Sequence, residues 1–353
     1  MSAVQASNSV WQKSVHYFSR RCSRNYQVTD APPLGAIEWT SLRETMKSAE
    51  LLPSYYPLAC NETHRLTLPA DELRQDIKRA SIAFAFMLRD VEPYLMRNLA
   101  AIMALGERFR RYWMFFVEND SRDRTQEIMR SKMRELPGIL HGTFLGNISR
   151  AYSVALCPES FRNCAQRIKL LASLRQHVFD LAWQVHGWTA LIMLDFDFAG
   201  FSEEEFMQMF ALGMRMNAAA IVGVSMTTDS RKHCAQYDRS LIGEDGKNLL
   251  FVQAGLGCFG RIMKGHSGFP TLYAKALRMA KPQYVNHPIY EYKLGNGFND
   301  LSPFNQQLYK WGQKAGMPTL VDPRFRPMYS FGEGDLYLKN ATLARELMTK
   351  PER

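Results

Sequence analysis

The sequence predicts an α/β protein: a mostly parallel sheet flanked by helices, followed by a more irregular C-terminal region. Three observations carry that expectation. From Ser81 onward, apolar runs of strand length alternate with segments of helical spacing. The first two runs end in charged residues, Arg89-Asp90 and then 118–125, which is where ligands gather in such sheets. A third apolar run, 189–194, ends in Asp195-Phe196-Asp197.

Taken in order, residues 1–80 read as an N-terminal helical extension. Val10, Trp11, Val15, Tyr17 and Phe18 form an apolar stripe beside Arg20, Arg21 and Arg24. The simpler reading is a short helix packed on its own domain; a peripheral basic contact with a membrane surface is the other. A further helix is expected over 39–52, stopped by Pro53. Residues 81–200 form the first α/β half. Here 82–88 is a buried strand, and 92–109 is a helix with Leu95, Leu99, Ile102, Met103 and Leu105 on one face. A second strand is expected at 112–117, a helix at 126–133 and a third strand near 142–145. A long helix over 162–185 carries Arg167, Lys169 and Arg175. Residues 201–353 form the second half. It should hold a helix at 203–216, strands at 218–225 and 249–254, and a glycine-rich turn at 255–260 that lacks the G-x-G-x-x-G spacing of a dinucleotide site. After Pro282 come Tyr284, His287, Tyr290, Glu291 and Tyr292, a composition that suits sugar rings as well as an ordinary amphipathic loop. A terminal helix is expected at 341–348.

Composition bounds the class. The 353 residues are 46% hydrophobic and 22% charged, an ordinary globular balance with room for a sizeable core. The formal charge of +10 favours anionic partners. The basic residues are dispersed and no zinc-finger or RNA-binding motif occurs, which argues against nucleic acid. The six cysteines form no C-x-x-C pair, so structural zinc is not expected. Without a signal-peptide pattern they read as reduced thiols of a cytoplasmic protein. No apolar run reaches the ~18 residues of a membrane span.

The chemistry centres on Asp195 and Asp197. Alternation along an extended chain would send both carboxylates to one side, where they repel. A bound cation resolves that repulsion, and all-oxygen ligation suits Mg²⁺ or Mn²⁺. The bland reading is a polar strand end, with one carboxylate capping the helix that starts at Ser202-Glu203. Asp90, Glu118 and Asp123 carry the same ambiguity between helix capping and ligand binding.

In sequence order these motifs resemble those of GT-A glycosyltransferases. The residues concerned are Arg89-Asp90, the acidic turn Glu118-Asn119-Asp120-Ser121-Arg122-Asp123-Arg124-Thr125, Arg175-Gln176 and Asp195-Phe196-Asp197. A narrower resemblance, over about 81–265, is to the fungal capsule-associated α-1,3-mannosyltransferase group. It rests on Arg167-Ile168, Arg175-Gln176 and Tyr237-Asp238, with Gln176 in place of an expected Asn and Tyr290-Glu291 in place of a late Cys-Glu.

The resemblance implies a GT-A type, Rossmann-like fold. Its first half would bind the nucleotide sugar, and its second half would bind a glycan or glycolipid acceptor. It implies Mn²⁺ or Mg²⁺ on Asp195 and Asp197, and a GDP- or UDP-sugar donor held by Arg89, Asp90, Glu118, Asp123, Arg167, Arg175 and Asp195. It further implies transfer with retention, with Asp238 and Glu291 on the acceptor side. The alternatives are an inactive sugar or nucleotide binder and a basic RNA-binding domain. A haloacid-dehalogenase-type phosphatase is disfavoured because its D-x-D belongs on the first strand. A nucleotidyltransferase is disfavoured because no G-x-G-x-R loop follows that strand.

Overall fold

A computed structural model describes residues 67–146, 148, 165–228, 234–236, 242–243, 260–264, 269–284, 302–322, 325 and 327–329. The helices are α1 (Ala70–Arg79), α2 (Glu92–Gly106), α3 (Thr125–Glu135), α4 (Ala165–Trp183), α5 (Glu203–Arg215), α6 (Ala274–Ala280) and α7 (Ser302–Ala315). The first strands are β1 (Ser81–Leu88), β2 (Arg111–Glu118), β3 (Leu140–Phe144), β4 (Ala190–Asp195) and β5 (Phe198–Gly200). After α5 come β6 (Ala220–Val222), β7 (Met226–Thr228), β8 (Cys234–Gln236), β9 (Ile242–Gly243), β10 (Gly260–Lys264), β11 (Thr271–Tyr273), β12 (Thr319–Val321) and β13 (Met328–Tyr329).

The main sheet runs β3-β2-β1-β4-β11-β6-β12-β10-β9, and a smaller one runs β5-β13-β7-β8. The first four strands of the main sheet are parallel. β11 is antiparallel to both its neighbours, while β6 and β12 are again parallel. The expected α/β fold with a mostly parallel, helix-flanked sheet is therefore what forms. The second half contributes strands to the same sheet, which periodicity alone did not anticipate: β11 and β12 are only three residues long, too short to show a period.

Alternation along β1 and β4 builds two cores. Ile82, Phe84, Phe86 and Leu88, with Ile192 and Leu194, face α1, α2, α3 and α5. Ala83 and Ala85, with Leu191 and Met193, face α4, α6 and α7. Small residues on the second face of β1 let α4 approach, whereas the first face is filled by phenylalanines. Phe84, Phe86, Phe116, Phe198, Phe206 and Phe210 are all at or near zero exposure, and burial of each contributes roughly 1.5–3 kcal/mol. The edge strand β3 fits because residue 142 is glycine: a methyl group there would lie 2.1 Å from Phe116 Cε1.

The helix and strand expectations hold within a few residues through α4, as end-fraying allows. Others are corrected. The run 189–198 is not one strand: β4 stops at Asp195, Phe196-Asp197 is a turn, and β5 starts at Phe198. The apolar segment 218–225 holds only the three-residue β6. Helix α1 falls within the expected helical extension of 1–80, where no separate helix is expected at 70–79; Arg215 of α5 ties it down through Nε to Asp76 Oδ2 and Nη1 to Glu72 Oε2, each at 2.6 Å. The expected elements at 39–52, 249–254 and 341–348 lie outside the described residues.

The chain order reverses beside β1. Strands β1, β2 and β3 step outward, and β4 then returns to the other side of β1. In open α/β sheets, the crevice at such a reversal is where ligands bind, at the carboxyl ends of the strands. Register brings those ends into line: Leu88 lies beside Glu118, and Met87 beside Asp195.

Candidate functional site

Two structures occupy this carboxyl edge. The first is a pair of loops, β1–α2 and β2–α3, laced together. Asp90 N–H donates to Ser121 Oγ at 2.9 Å, and Arg122 N–H returns a bond to Asp90 Oδ1 at 2.7 Å. Val91 N–H donates to Thr125 Oγ1 at 3.0 Å, and Arg124 N–H to Glu92 Oε2 at 2.9 Å. Asp123 joins two helix starts, its Oδ2 accepting from Glu92 N–H and its Oδ1 from Thr125 N–H, both at 2.9 Å. The Glu92 and Thr125 N–H groups open α2 and α3 and have no partner within them. Burial pushes the Asp123 carboxyl up, but hydrogen bonds from Thr125 and Glu92 outweigh it and leave it below its ordinary value. Asp90 and Asp120 adopt positive φ, 50° and 58°, a conformation that aspartate tolerates better than most residues.

Glu118 lies beneath this lacework at zero exposure. Its Oε1 accepts from Ser121 N–H at 2.9 Å, while its Oε2 has no hydrogen-bond partner among the described residues. A buried acceptor of that kind suits a ligand that brings its own donor. Arg89 is half-exposed, its Nε 3.8 Å from Asp90 Oδ2.

The second structure is the turn after β4. Asp195 shares the parity of Leu191 and Met193, so it faces the α4 layer, and there Arg175 Nη2 meets its Oδ1 at 2.8 Å. Arg175 is almost fully buried and Asp195 about a third exposed. The turn then swings Asp197 toward α2. Burial, followed by the charge of Asp195, pushes the Asp197 carboxyl up to about 7; Arg175 opposes that shift in part. Tyr94 of α2 senses the same group. Burial, then the charges of Asp197, Asp123 and Asp90, push its phenol up to about 12. Burial brings Arg97 down to about 10, so it stays cationic at neutral pH.

The charge of Asp195 reaches Asp197, though not because the two alternate onto one side of a strand. A turn joins them, and its backbone is held by α2. Asn98 Nδ2 donates to Phe196 O at 2.7 Å and to Phe198 O at 3.0 Å. Arg97 Nη2 donates to Phe198 O at 2.8 Å. The cap of α5 is also corrected: Ser202 Oγ, not a carboxylate, accepts from Glu205 N–H at 3.2 Å.

Sequence reasoning missed Tyr94, Arg97 and Asn98. A signal was present: Asn98 falls between Leu95 and Leu99 on the apolar stripe of α2, and a buried amide requires partners. Of the expected site residues, Arg89, Asp90, Glu118, Asp123, Arg175, Asp195 and Asp197 come together along this edge. Gln176, beside Arg175, accepts from Tyr284 N–H and donates to Asp180, both at 2.8 Å. Arg167 falls on α4, but its side chain, like Asp238 and Glu291, lies outside the described residues. Among the described residues, no group of three or more His, Cys, Asp or Glu side chains is placed to enclose a metal ion. No helix among them is long and apolar enough to cross a membrane.

No family model matches the sequence, and no curated protein matches it. Solved structures similar to the chain include GalNAc-T7 with UDP, GalNAc and Mn²⁺, at 10% identity and a TM-score of 0.43. That match covers 86% of this chain but only 57% of GalNAc-T7. The mannosyltransferase PcManGT of Pyrobaculum calidifontis, in complex with GDP-Man and Mn²⁺, is 10% identical at a TM-score of 0.43, covering 90% of this chain and 78% of its own. S. aureus TarS 1-349 with UDP-GlcNAc is 13% identical at 0.43, covering 76% and 65%. Likeness at this level assigns the chain to no family and no activity.

Proposed function

We propose that the chain is a metal-dependent glycosyltransferase. It moves a hexose from a GDP- or UDP-sugar to a glycan or lipid-linked acceptor, with retention. The observation that carries this reading is the Asp195–Asp197 turn: two carboxylates, one pushed up to about 7 by burial and by the other, at the carboxyl end of β4 beside the reversal of strand order. A divalent cation relieves that repulsion directly.

The donor set is all oxygen and supplies only two side chains, which fits Mn²⁺ or Mg²⁺. Such ions bind one or two carboxylates and take substrate phosphates as further ligands. Asp195 and Asp197 would hold the ion, which when bound supplies Lewis-acid stabilisation of the departing diphosphate. Arg175 fixes one oxygen of Asp195 and so orients the other. Glu118 Oε2 is the buried acceptor for an N–H or O–H of the base or ribose. The Asp90–Asp123 lacework sets the wall against which the nucleoside rests, and Arg89 adds positive charge beside the phosphates. Arg167 is assigned to the donor side, and Asp238 and Glu291 to the acceptor. The order of sequence motifs supports a likeness to the fungal capsule-associated α-1,3-mannosyltransferase group.

The test is a thermal-shift panel of GDP- and UDP-sugars with Mn²⁺ or with EDTA, followed by assay of nucleoside diphosphate release. A donor that raises the melting temperature only with metal, and is slowly hydrolysed, supports the reading. Equal shifts in EDTA remove the metal role, and metal-dependent binding without turnover favours an inactive binder.

A further inference from the structure

The Asn98 side chain hydrogen-bonds to the turn after β4 and to Arg97, which also binds that turn. It is fully buried. Its two amide hydrogens go to the carbonyls of Phe196 and Phe198, the residues on either side of Asp197. Its Oδ1 accepts from Arg97 Nε at 2.9 Å, which fixes which way the amide points. Arg97 adds a second donor to the Phe198 carbonyl. The rings of Phe196 and Phe198 are already anchored in the aromatic core, with Phe196 4.5 Å from Phe86 and Phe198 5.2 Å from Phe269, centroid to centroid. Ring packing sets where the turn lies. It does not set the rotation of the peptide planes of the turn; Asn98 fixes the plane that enters Asp197, through the Phe196 carbonyl, and the plane that leaves Phe198, through the Phe198 carbonyl, so Asp197 is held from both ends.

We infer that Asn98 is the positioning residue of the Asp195–Asp197 turn: by gripping the carbonyls on both sides of Asp197, it aims that carboxylate at the cation. The inference rests on the metal-dependent reading above. Asn98 does not touch the ion or the donor, so it acts only through the backbone of the turn. Tyr94, one helical turn earlier on the same face of α2, senses the charge of Asp197, which places this face against the carboxylate itself.

The experiment measures Mn²⁺ affinity of the purified full chain by the electron paramagnetic resonance signal of free Mn²⁺. Wild type, Asn98→Leu, Arg97→Gln and Asp197→Asn are compared well below their melting temperatures in EDTA. Leu nearly matches Asn in size and adds no charge. Asn98→Leu is expected to weaken Mn²⁺ binding about tenfold or more, and to broaden the signal of the bound ion. Arg97→Gln removes one of the three donors and is expected to weaken binding by a smaller factor. If Asn98→Leu does not fold, Arg97→Gln carries the test alone. A purely structural role predicts lower melting temperatures with wild-type Mn²⁺ affinity in the folded protein, and that result overturns the inference. Wild type that fails to bind Mn²⁺, or Asp197→Asn that binds as wild type does, instead removes the metal reading and the inference with it.

Discussion

The two halves of the carboxyl edge are built on opposite plans. In the β1–α2 and β2–α3 loops nearly every charged oxygen is matched, with Asp90, Glu92 and Asp123 accepting backbone N–H groups from the facing loop or the adjoining helix start. In the turn after β4, the hydrogen bonds from α2 go to the peptide carbonyls; Arg175 meets Asp195, yet the Asp195 charge still helps push the Asp197 carboxyl up. Matched groups hold a shape; crowded like charges hold an affinity. Under the proposed function, the difference separates residues that would build the wall of the site from residues that would bind a cation.

The largest break is expected at the turn. Asp197→Asn should reduce transfer about a thousandfold or more, read as nucleoside diphosphate release. The same substitution should raise the melting temperature of the metal-free protein, because it removes one of two crowded charges. A lower melting temperature in EDTA would show that the carboxylates are not in tension.

Arg175→Met comes next. It takes away the buried guanidinium that steadies Asp195, and stability should fall by about 1–3 kcal/mol in urea unfolding, discounted because Asp195 is partly solvated. Asp123→Ala tests the matched side. Loss of a cap shared by two helices should lower stability by about 1–2 kcal/mol with little effect on Mn²⁺ affinity. Its pH dependence has a definite sign. The Asp123 carboxyl is held below its ordinary value of 3.8 in the folded chain. Its contribution is therefore full above that value and fades as pH falls through the lower folded value. The gap in stability between wild type and Asp123→Ala should be constant near neutrality and close in acid.

The smallest effect sharpens the contrast. Arg89→Ala breaks only a half-exposed contact of 3.8 Å and should change stability by less than about 0.5 kcal/mol. A raised KM for the donor with kcat unchanged would place Arg89 at the phosphates, whereas unchanged kinetics would make it ordinary surface.

Much of this was legible in the sequence where a signal repeats. The continuous apolar run 82–88 and the apolar stripe of 92–109 pointed to β1 and α2, and the charged residues after the strands fall at the carboxyl edge of the sheet. The expectation that strand alternation sends Asp195 and Asp197 to one side is corrected, since β4 ends at Asp195 and a turn carries Asp197. Asn98 escaped because periodicity classes residues as apolar or polar, and a polar residue on the buried face was passed over rather than asked for its partners. The short strands β11 and β12 escaped because three residues show no period, and their pairing is decided by distant chain.

The lengths of chain spanned by the two sets of contacts carry a consequence for assembly. Bonds across the first pair of loops join residues 31 to 34 apart, whereas the grip on the turn closes over 98 and 100. Closing the longer loop carries the greater entropic penalty, and contacts of wide separation are slow to form. During refolding, the β1–α2 and β2–α3 loops should therefore mature first and the Asp195–Asp197 turn last. A rapidly mixed Mn²⁺ probe would then report a phase slower than the recovery of helical signal.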